Sequence, residues 1–310
     1  MANSIRQINV RGRLLADEPM SRHCSWRTGG KAERYFEPAD IDDLVDFLAQ
    51  IDHDEPLTWI GLGSNVLIRD GGIDGTVIAT TRAMNAWRWL DPVRLYVECG
   101  VACAKVAKEA YRQELGGGSF LGGIPGTVGG ALAMNAGAFG REIWMLVESV
   151  ELLGRGGERR RVDRQQFTTS YRSVEVPAEH WFVSAILRFD PHAAAEERDV
   201  RELLGERNAS QPIGLASCGS VFKNPPGDFA GRLIEAAGLK GRRRGGCHVS
   251  DKHANFIIND AGASAADIEQ LMLDVQAGVA EKFGQQLEPE VRIIGRPGAV
   301  PARGGKNDTA

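Results

Sequence analysis

The sequence has few cysteines and histidines, and neither set forms a paired motif. Its five cysteines, Cys24, Cys99, Cys103, Cys218 and Cys247, are odd in number and show no CxxC spacing. This excludes the usual sequence signatures of a disulfide framework and of a zinc site. The six histidines include no HxxxH or HExxH pair. We therefore expect reduced thiols and no metal ion.

The sequence also lacks a long apolar run and a strong excess of one charge. No segment approaches the roughly 18 uninterrupted apolar residues of a membrane span, and residues 1–19 lack the apolar core of a signal peptide. The formal net charge of -4 argues against a nucleic-acid or membrane surface but permits a local basic pocket. With 43% hydrophobic and 25% charged residues, the composition predicts a globular protein, and the length of 310 residues predicts two or three domains. Because no signal peptide or membrane span is found, we expect a cytoplasmic location.

Glycine, by contrast, is abundant and concentrated in one stretch. Residues 116–140 read GGGSFLGGIPGTVGGALAMNAGAFG, although glycine in ordered structure costs about 0.5 to 1 kcal/mol relative to alanine. Such a density indicates a ligand that approaches the backbone closely. Gly126, Gly129 and Gly130 flank Thr127, a residue typical of a helix N-cap. Because the start of a helix favours an anion, this loop is predicted to hold a phosphate.

A second glycine loop, GLGSN at residues 61–65, follows the apolar run 57–60. Two phosphate loops predict one large ligand with a diphosphate. After this loop, residues 66–70 and 75–79 have the pattern of strands. A Rossmann fingerprint requires GxGxxG at the start of a helix, and here both the third glycine and the helix are missing. We therefore predict an α+β fold rather than a doubly wound sheet.

The remaining pattern mixes helices and strands along the chain. Helices are expected over 40–50, 102–114, 228–237 and 264–283, and strands over 95–99, 146–153, 182–189, 255–258 and 291–294. Ser264 and Asp267 form a capping box at the start of the last helix. A polar connector after Pro191 marks a boundary. We predict two lobes, a third domain and a loose tail, with ranges 1–85, 86–192, 193–296 and 297–310.

Three residues are candidates for chemistry, and each has a simpler structural alternative. Ser220, in SCGSVFKNP, lies close to Lys223, so the pair suggests a proton relay; the alternative is a serine that caps a backbone amide in a turn. Glu290 precedes an apolar strand, where burial raises a carboxyl pKa; the alternatives are that it pairs with Arg292 or lies in solvent. Arg172, in SYRS, has a planar guanidinium that can donate two hydrogen bonds to a carboxylate; the alternative is an ordinary surface arginine.

Two further features have weaker implications. The basic runs 159–161 and 240–244 are interpreted as solvated faces of hairpins or loops, with recruitment of phosphate as the alternative. The sequence contains no GxSxG elbow, which disfavours a serine hydrolase.

Several motifs resemble, in the same order, those of the UDP-N-acetylenolpyruvoylglucosamine reductase family. They extend over roughly residues 20–295 and read GLGSNVLI, FLGGIPGTVGGALAMNAGAFG, YRS, GSVFKNP, HANFIIN and LEPEVRIIG. The resemblance implies the FAD-binding fold of the vanillyl-alcohol oxidase type. Non-covalent FAD would lie between the first two lobes, and the third domain would approach the substrate. It also implies an NADPH-dependent reduction of an enolpyruvyl UDP-sugar in peptidoglycan precursor synthesis.

The resemblance also implies roles for individual residues. Arg172, Ser220 and Glu290 match the three catalytic positions, with Ser220 as the proton donor. Lys223 and Asn224 are expected to contact the substrate. The positions expected to bind FAD are Gly61, Gly63, Ser64, Asn65, Ile124, Pro125, Gly126, Thr127, Gly129, Gly130 and Gly137. The short interval between Arg172 and Ser220 resembles the subclass that lacks an additional substrate-capping loop.

Two rival interpretations stay open at this point. Another FAD oxidase or dehydrogenase of the same fold would act on a small alcohol, and many such enzymes hold flavin covalently through histidine or cysteine. A non-catalytic flavin or nucleotide sensor would not require the three catalytic positions together. Beyond the UDP-sugar and NADPH we expect no nucleic-acid or membrane partner, and we expect a monomer.

Overall fold

The computed structural model describes residues 8–192 and 200–298. In these residues the α-helices are α1 (Ile41–Leu48), α2 (Cys103–Arg112), α3 (Val128–Met134), α4 (Val200–Ser210), α5 (Ala230–Ala236) and α6 (Ala265–Phe283). The strands are β1 (Arg13–Pro19), β2 (Lys31–Glu37), β3 (Leu57–Ile60), β4 (Val66–Ile68), β5 (Ile73–Ala79), β6 (Trp87–Trp89), β7 (Arg94–Glu98), β8 (Gly137–Ala138), β9 (Arg141–Glu142), β10 (Val147–Gly154), β11 (Arg159–Asp163), β12 (Thr169–Ser170), β13 (Ser173–Val174), β14 (His180–Arg188), β15 (Arg243–Arg244), β16 (Cys247–Val249), β17 (Ile257–Asn259) and β18 (Arg292–Ile294). Most of the predicted connector after Pro191, and the predicted tail beyond residue 298, lie outside the described residues.

The first sheet has the strand order β1-β2-β5-β3. β1 and β2 are antiparallel, whereas β5 pairs in parallel with both β2 and β3. α1 covers this sheet and buries Leu44 and Phe47 in a cluster with Phe36 and Ile78. The rings of Phe36 and Phe47 stack with their centroids 4.4 Å apart. Because β3 is an edge strand, the glycine loop that follows it leaves the sheet at its border.

The second sheet has the order β11-β10-β14-β7-β6 and is antiparallel throughout. α2 and α3 bury their apolar residues in the same large cluster as this sheet, including Val106, Leu132, Leu152 and Phe182. The Trp144 indole donates to the Leu132 carbonyl of α3 at 2.8 Å. This bond ties α3, which begins at the second glycine loop, to the turn that leads into β10.

The C-terminal part of the described chain packs α5 and α6 with the antiparallel sheet β15-β16-β17. Its core also contains Trp26 and Leu67 from the N-terminal part, and the Trp26 indole donates to the Ile257 carbonyl at 2.8 Å. β18 pairs in parallel with β4, with Arg292 opposite Val66. The segment before β18, which contains Glu290, is thus tied to the first glycine loop. The division of the chain into domains stays a prediction.

The helix ends follow the predicted signals. Asp40 caps α1 by accepting from the Asp43 N–H, and the predicted capping box of Ser264 and Asp267 is present at α6. α6 ends at Gly284, whose φ of 65° is the left-handed conformation that favours glycine. The sequence-predicted helices and strands are found with shifts of about two residues at their ends, which is the usual uncertainty of such boundaries.

Several elements were not predicted. β1 and β2 contain many charged residues and show no clear alternation of apolar and polar positions. Their partial burial depends on the neighbouring strands of the sheet. β12 and β13 are only two residues long each, too short for a periodic signal. The stretch before them forms a single 3₁₀ turn over Arg164–Gln166. Among the described residues, no helix has the length and apolar character needed to cross a bilayer.

Candidate active site

A cavity of about 500 Å³ brings together both glycine loops and the three candidate catalytic residues. Its wall includes residues 61–65 of the first loop and residues 123–127 of the second. Arg172, Ser220 and Glu290 also line it, although 118 positions separate the first from the last. The tertiary structure thus unites the segments that the sequence predicted separately.

The first loop, GLGSN, is shaped by contacts with an upstream segment. The Ser25 N–H donates to the Gly63 carbonyl at 2.9 Å, and Gly63 has a φ of 66°. A Cβ added at Gly63 would collide with the His23 carbonyl, so the fold of the loop requires glycine there. Asn65 Nδ2 donates to the Glu290 carbonyl at 3.1 Å. Asn65, predicted to bind the cofactor, therefore ties the loop to the segment of Glu290.

The second loop begins α3 and lies beside the first. Thr127 Oγ1 accepts from the Gly130 N–H at 3.3 Å, which confirms Thr127 as the N-cap. A Cβ added at Gly61 would lie 2.5 Å from Thr127 Oγ1, and a Cβ added at Gly126 would lie 3.3 Å from Ser64 Oγ. The absence of side chains at these two glycines therefore lets the loops approach each other.

Two other predicted cofactor residues have different surroundings. The Gly129 N–H donates to the Cys99 carbonyl at 2.8 Å, and a Cβ added at Gly129 would lie 2.7 Å from the Cys99 Cβ. Gly129 is not part of the cavity wall and serves close packing of α3. Gly137 lines the cavity, and its carbonyl accepts from Arg172 Nη2 at 3.2 Å. The cofactor contacts of both glycines stay predictions.

Backbone amides without a protein partner are present in both loops. Among the described residues, the N–H groups of Leu62, Gly63, Ser64 and Thr127 donate no hydrogen bond to another residue. These residues all line the cavity. Backbone amides that face a cavity without a protein partner can bind a ligand, and phosphate oxygens are suitable acceptors for them. The residues present therefore fit the diphosphate of FAD.

Arg172 lies at the tip of the hairpin formed by β12 and β13, where Ser170 pairs with Ser173. Its φ of 56° places the backbone in the left-handed region. Arg172 Nε donates to Glu290 Oε1 at 2.8 Å, and the two side chains are only 16% and 11% exposed. The alternative of an ordinary surface arginine is therefore wrong. Glu290 forms its ion pair with Arg172. The alternative in which Glu290 pairs with Arg292 is therefore wrong.

The surroundings make Glu290 easier to protonate than an ordinary glutamate. Burial raises the pKa of the Glu290 carboxyl above its usual value, while the positive charges of Arg172 and Lys223 act in the opposite direction without cancelling the effect of burial. A neutral Glu290 can donate a hydrogen bond. It also leaves the charge of Arg172 available to an incoming carboxylate.

Ser220 follows Gly219, whose φ is 74°. The next residue, Val221, accepts from the Glu290 N–H at 2.8 Å, so the backbones at Ser220 and Glu290 are held side by side. Among the described residues, the Ser220 hydroxyl has no hydrogen-bond partner. The alternative in which Ser220 caps a backbone amide is therefore wrong. Its hydroxyl is available at the cavity wall.

The two predicted substrate residues lie outside the cavity wall. Lys223 Nζ donates to Glu288 Oε1 at 2.5 Å, and Asn224 Oδ1 accepts from the Ala230 N–H at 3.1 Å, at the start of α5. Their contact with a substrate stays a prediction. So does a role of Lys223 in returning a proton to Ser220.

The two basic runs are largely paired with carboxylates. Arg159 pairs with Glu151 at 3.0 Å, and Arg243 pairs with Asp260 at 2.8 Å. These contacts agree with the interpretation of the runs as solvated surface segments. They give no support to recruitment of phosphate.

The cavity wall also contains side chains that sequence reasoning missed, among them Trp59, Phe139, Arg207, Cys218, Phe256 and Arg292. Trp59 lies two residues before the first glycine loop and Phe139 lies within the glycine-rich stretch 116–140, so both could have been found from the motifs. Arg207 belongs to α4, which has no motif; burial lowers the pKa of its guanidinium. Only the packing of the chain places Arg207 at the site.

The cysteines are buried and unpaired. Cys218 lines the cavity, and burial raises the pKa of its thiol to about 12. A thiol with such a pKa is a poor nucleophile at neutral pH because the thiolate is the reactive form. In the described part of the chain, no three or more histidine, cysteine, aspartate or glutamate residues are arranged to hold a metal ion.

Comparisons with known proteins agree with this geometry. Residues 211–294 match the model of the UDP-N-acetylenolpyruvoylglucosamine reductase C-terminal domain, and residues 32–163 match an FAD binding domain. The chain is 53% identical to the UDP-N-acetylenolpyruvoylglucosamine reductase of Alkalilimnicola ehrlichii, over 92% of this chain and 95% of that protein. This chain belongs to the UDP-N-acetylenolpyruvoylglucosamine reductase family.

Other members support the same assignment. The reductase of Methylococcus capsulatus is 52% identical over 92% of this chain and 94% of its own length. The crystal structure of the reductase from Thermus caldophilus superposes with a TM-score of 0.75 at 28% identity, and the match covers 93% of this chain and all of that one. The family resemblance and the predicted α+β, FAD-binding fold are confirmed.

Proposed function

We propose that this protein is a flavoenzyme that uses NADPH to reduce the enolpyruvyl ether of UDP-N-acetylglucosamine-enolpyruvate to UDP-N-acetylmuramate. This reaction belongs to peptidoglycan precursor synthesis, and we propose that the protein performs it in the cytoplasm as a monomer. The observation that carries the proposal is the cavity in which Arg172, Ser220 and Glu290 meet the two glycine loops. Membership of the reductase family supports it independently.

FAD, when bound, supplies the hydride for this reduction after receiving it from NADPH. The amides of Leu62, Gly63, Ser64 and Thr127 would hold its diphosphate because they have no partner among the described residues. We propose that FAD is bound without a covalent bond. The thiol of Cys218, although in the cavity wall, has its pKa raised to about 12 and is a poor nucleophile.

Arg172 and Glu290 would bind the carboxylate of the enolpyruvyl group. Negative charge develops on this carboxylate as the double bond is reduced, and charged or hydrogen-bonding groups placed in advance stabilise it. Arg172 is oriented through Nε by Glu290 and through Nη2 by the Gly137 carbonyl. Protonation of Glu290, which its burial favours, would supply a second donor and avoid repulsion of the substrate.

Ser220 would donate a proton to the carbon next to that carboxylate. A serine hydroxyl is a weak acid, so it must act on a strongly basic carbon and then regain a proton from solvent or a neighbour. Its hydroxyl has no competing partner among the described residues. The geometry therefore leaves it free to turn towards a substrate in the cavity. Lys223 and Asn224 are proposed as contacts of the UDP group.

The experiment that tests this function is a two-step spectral assay. Purified protein should show the absorption of oxidised flavin, lose it on anaerobic addition of NADPH, and regain it on addition of the enolpyruvyl UDP-sugar, with UDP-N-acetylmuramate as the product. Flavin released by denaturation should be FAD. Absence of recolouring by the enolpyruvyl substrate contradicts the proposed function. Flavin that stays attached to denatured protein would favour a covalent oxidase of the same fold.

A further inference from the structure

The position of Arg172 requires support from outside its own hairpin. β12 and β13 contribute only two residue pairs, and Arg172 at the tip has a φ of 56°. Isolated two-stranded hairpins are only marginally stable, and a non-glycine residue in the left-handed region is strained. Other parts of the structure must therefore hold this backbone in place.

Asn135 provides that support from the end of α3. Its Nδ2 donates to the Ser170 carbonyl, two residues before Arg172, at 3.0 Å. The same nitrogen donates to Glu142 Oε2 at 2.6 Å. The Asn135 side chain is nearly inaccessible to solvent, with 1% of the residue exposed. The two bonds determine the orientation of its amide.

The same segment also contacts the guanidinium of Arg172. The Gly137 carbonyl, two residues after Asn135, accepts from Arg172 Nη2 at 3.2 Å. The stretch from Asn135 to Gly137 therefore holds the hairpin through the Ser170 carbonyl and the side chain through Nη2. We propose that Asn135 is a positioning residue for Arg172 and that Glu142 fixes the amide of Asn135. This inference rests on the proposed function, because it concerns how the substrate carboxylate is recognised.

The cost of placing asparagine at this position supports the proposal. Asn135 ends α3 with a φ of 48°, a conformation that glycine adopts with less strain. Its Oδ1 is buried and has no partner among the described residues. Buried polar atoms without a partner are unfavourable and uncommon in folded proteins. The two donor bonds of Nδ2 are what asparagine provides at this helix end and glycine would not.

The first test removes the side chain and keeps the backbone conformation. Asn135→Gly retains the left-handed helix end but loses both donor bonds, and Asn135→Asp has a similar size but no amide donor and repels Glu142. In rapid mixing, we expect both variants to retain FAD and to be reduced by NADPH at the wild-type rate. Reoxidation by the enolpyruvyl UDP-sugar should slow by about 10- to 100-fold, the scale of a misplaced catalytic group.

A double-mutant cycle separates positioning from general stability. If Asn135 acts through Arg172, Asn135→Gly should have little further effect in protein that already carries Arg172→Lys. Glu114→Gly is the matched backbone control because Glu114 also has a left-handed φ, 55°, at an exposed position outside the cavity wall. This control should reoxidise at the wild-type rate. Fully additive effects of Asn135→Gly and Arg172→Lys would overturn the proposal.

Variants of Glu142 provide an independent test if Asn135→Gly does not fold. Glu142→Gln keeps an oxygen acceptor for Asn135 and should reoxidise at nearly the wild-type rate, whereas Glu142→Ala should be slow only in this half-reaction. Equal losses in both half-reactions, or wild-type reoxidation in Glu142→Ala, would contradict the positioning role. Wild-type enzyme that the enolpyruvyl substrate does not reoxidise contradicts the proposed function itself, which keeps the two failures distinct.

Discussion

Replacement of Ser220 by alanine tests the proposed proton donor with little risk to the fold. Among the described residues the Ser220 hydroxyl has no hydrogen-bond partner, so Ser220→Ala breaks no protein contact of that oxygen. We expect the free energy of unfolding to change by no more than about 0.5 kcal/mol. Flavin content and the rate of flavin reduction by NADPH should stay at wild-type values.

The same change should strongly slow the second half-reaction. Loss of a general acid reduces a rate by roughly 10²- to 10⁴-fold. Since each tenfold loss corresponds to about 1.4 kcal/mol, the barrier should rise by about 3 to 6 kcal/mol. A rate loss of this size with unchanged stability assigns the hydroxyl to the reaction. Ser220→Cys should recover part of the loss, because a thiol with a reference pKa of about 8.5 is a stronger acid of similar size.

The assay is rapid mixing of anaerobically reduced enzyme with the enolpyruvyl UDP-sugar, followed by the return of flavin absorbance. Ser217→Ala is the matched control. Ser217 lies three residues before Ser220, and its hydroxyl also has no partner among the described residues. Unlike the Ser220 hydroxyl, it is buried and lies outside the cavity wall. This control should retain the wild-type rate. If Ser220→Ala is reoxidised as fast as wild type, with stereospecifically protonated product, another group delivers the proton.

Three further predictions concern Arg172, Gly126 and Glu290. Arg172→Lys should lose about 10²-fold or more in reoxidation, because one ammonium cannot keep the Glu290 contact and also bind a carboxylate bidentately; an impaired reduction by NADPH would instead place Arg172 at the cofactor. Gly126→Leu should lose FAD, measured as the flavin-to-protein ratio, since its side chain would enter the narrow space facing Ser64; retained FAD would refute this loop assignment. The pKa of Glu290 is raised above the ordinary 4.5, so reoxidation should fall as pH rises through that raised pKa. Glu290→Gln, which stays neutral, should lack this fall, and an unchanged pH profile would exclude Glu290 as its source.

The order of the motifs was sufficient to predict the family and the α+β, FAD-binding fold, and the comparisons confirm both. Local signals were similarly reliable for α6, whose capping box and terminal glycine depend on residues close in sequence. The same holds for Thr127, which caps α3 through a residue three positions along.

The alternatives at the candidate catalytic residues required the tertiary structure. The sequence alone did not decide whether Glu290 lies in solvent, is buried or pairs with Arg292. The fold brings Arg172 into contact with Glu290 across 118 positions. The contribution of Arg207 to the cavity depends on how α4 packs, and no motif marks it. Long-range contacts of this kind depend on the whole topology, so a local pattern does not contain them.

The sequence by itself determined the elements whose causes are local: glycine where the backbone requires close approach, caps at helix ends, and apolar periodicity within helices and strands. Only the tertiary structure decided what those elements do together. It turned Asn65 towards the Glu290 carbonyl and Asn135 towards the hairpin of Arg172. The physical reason is that a hydrogen bond depends on distance and angle between two groups, and these are set by the packing of segments far apart in the chain.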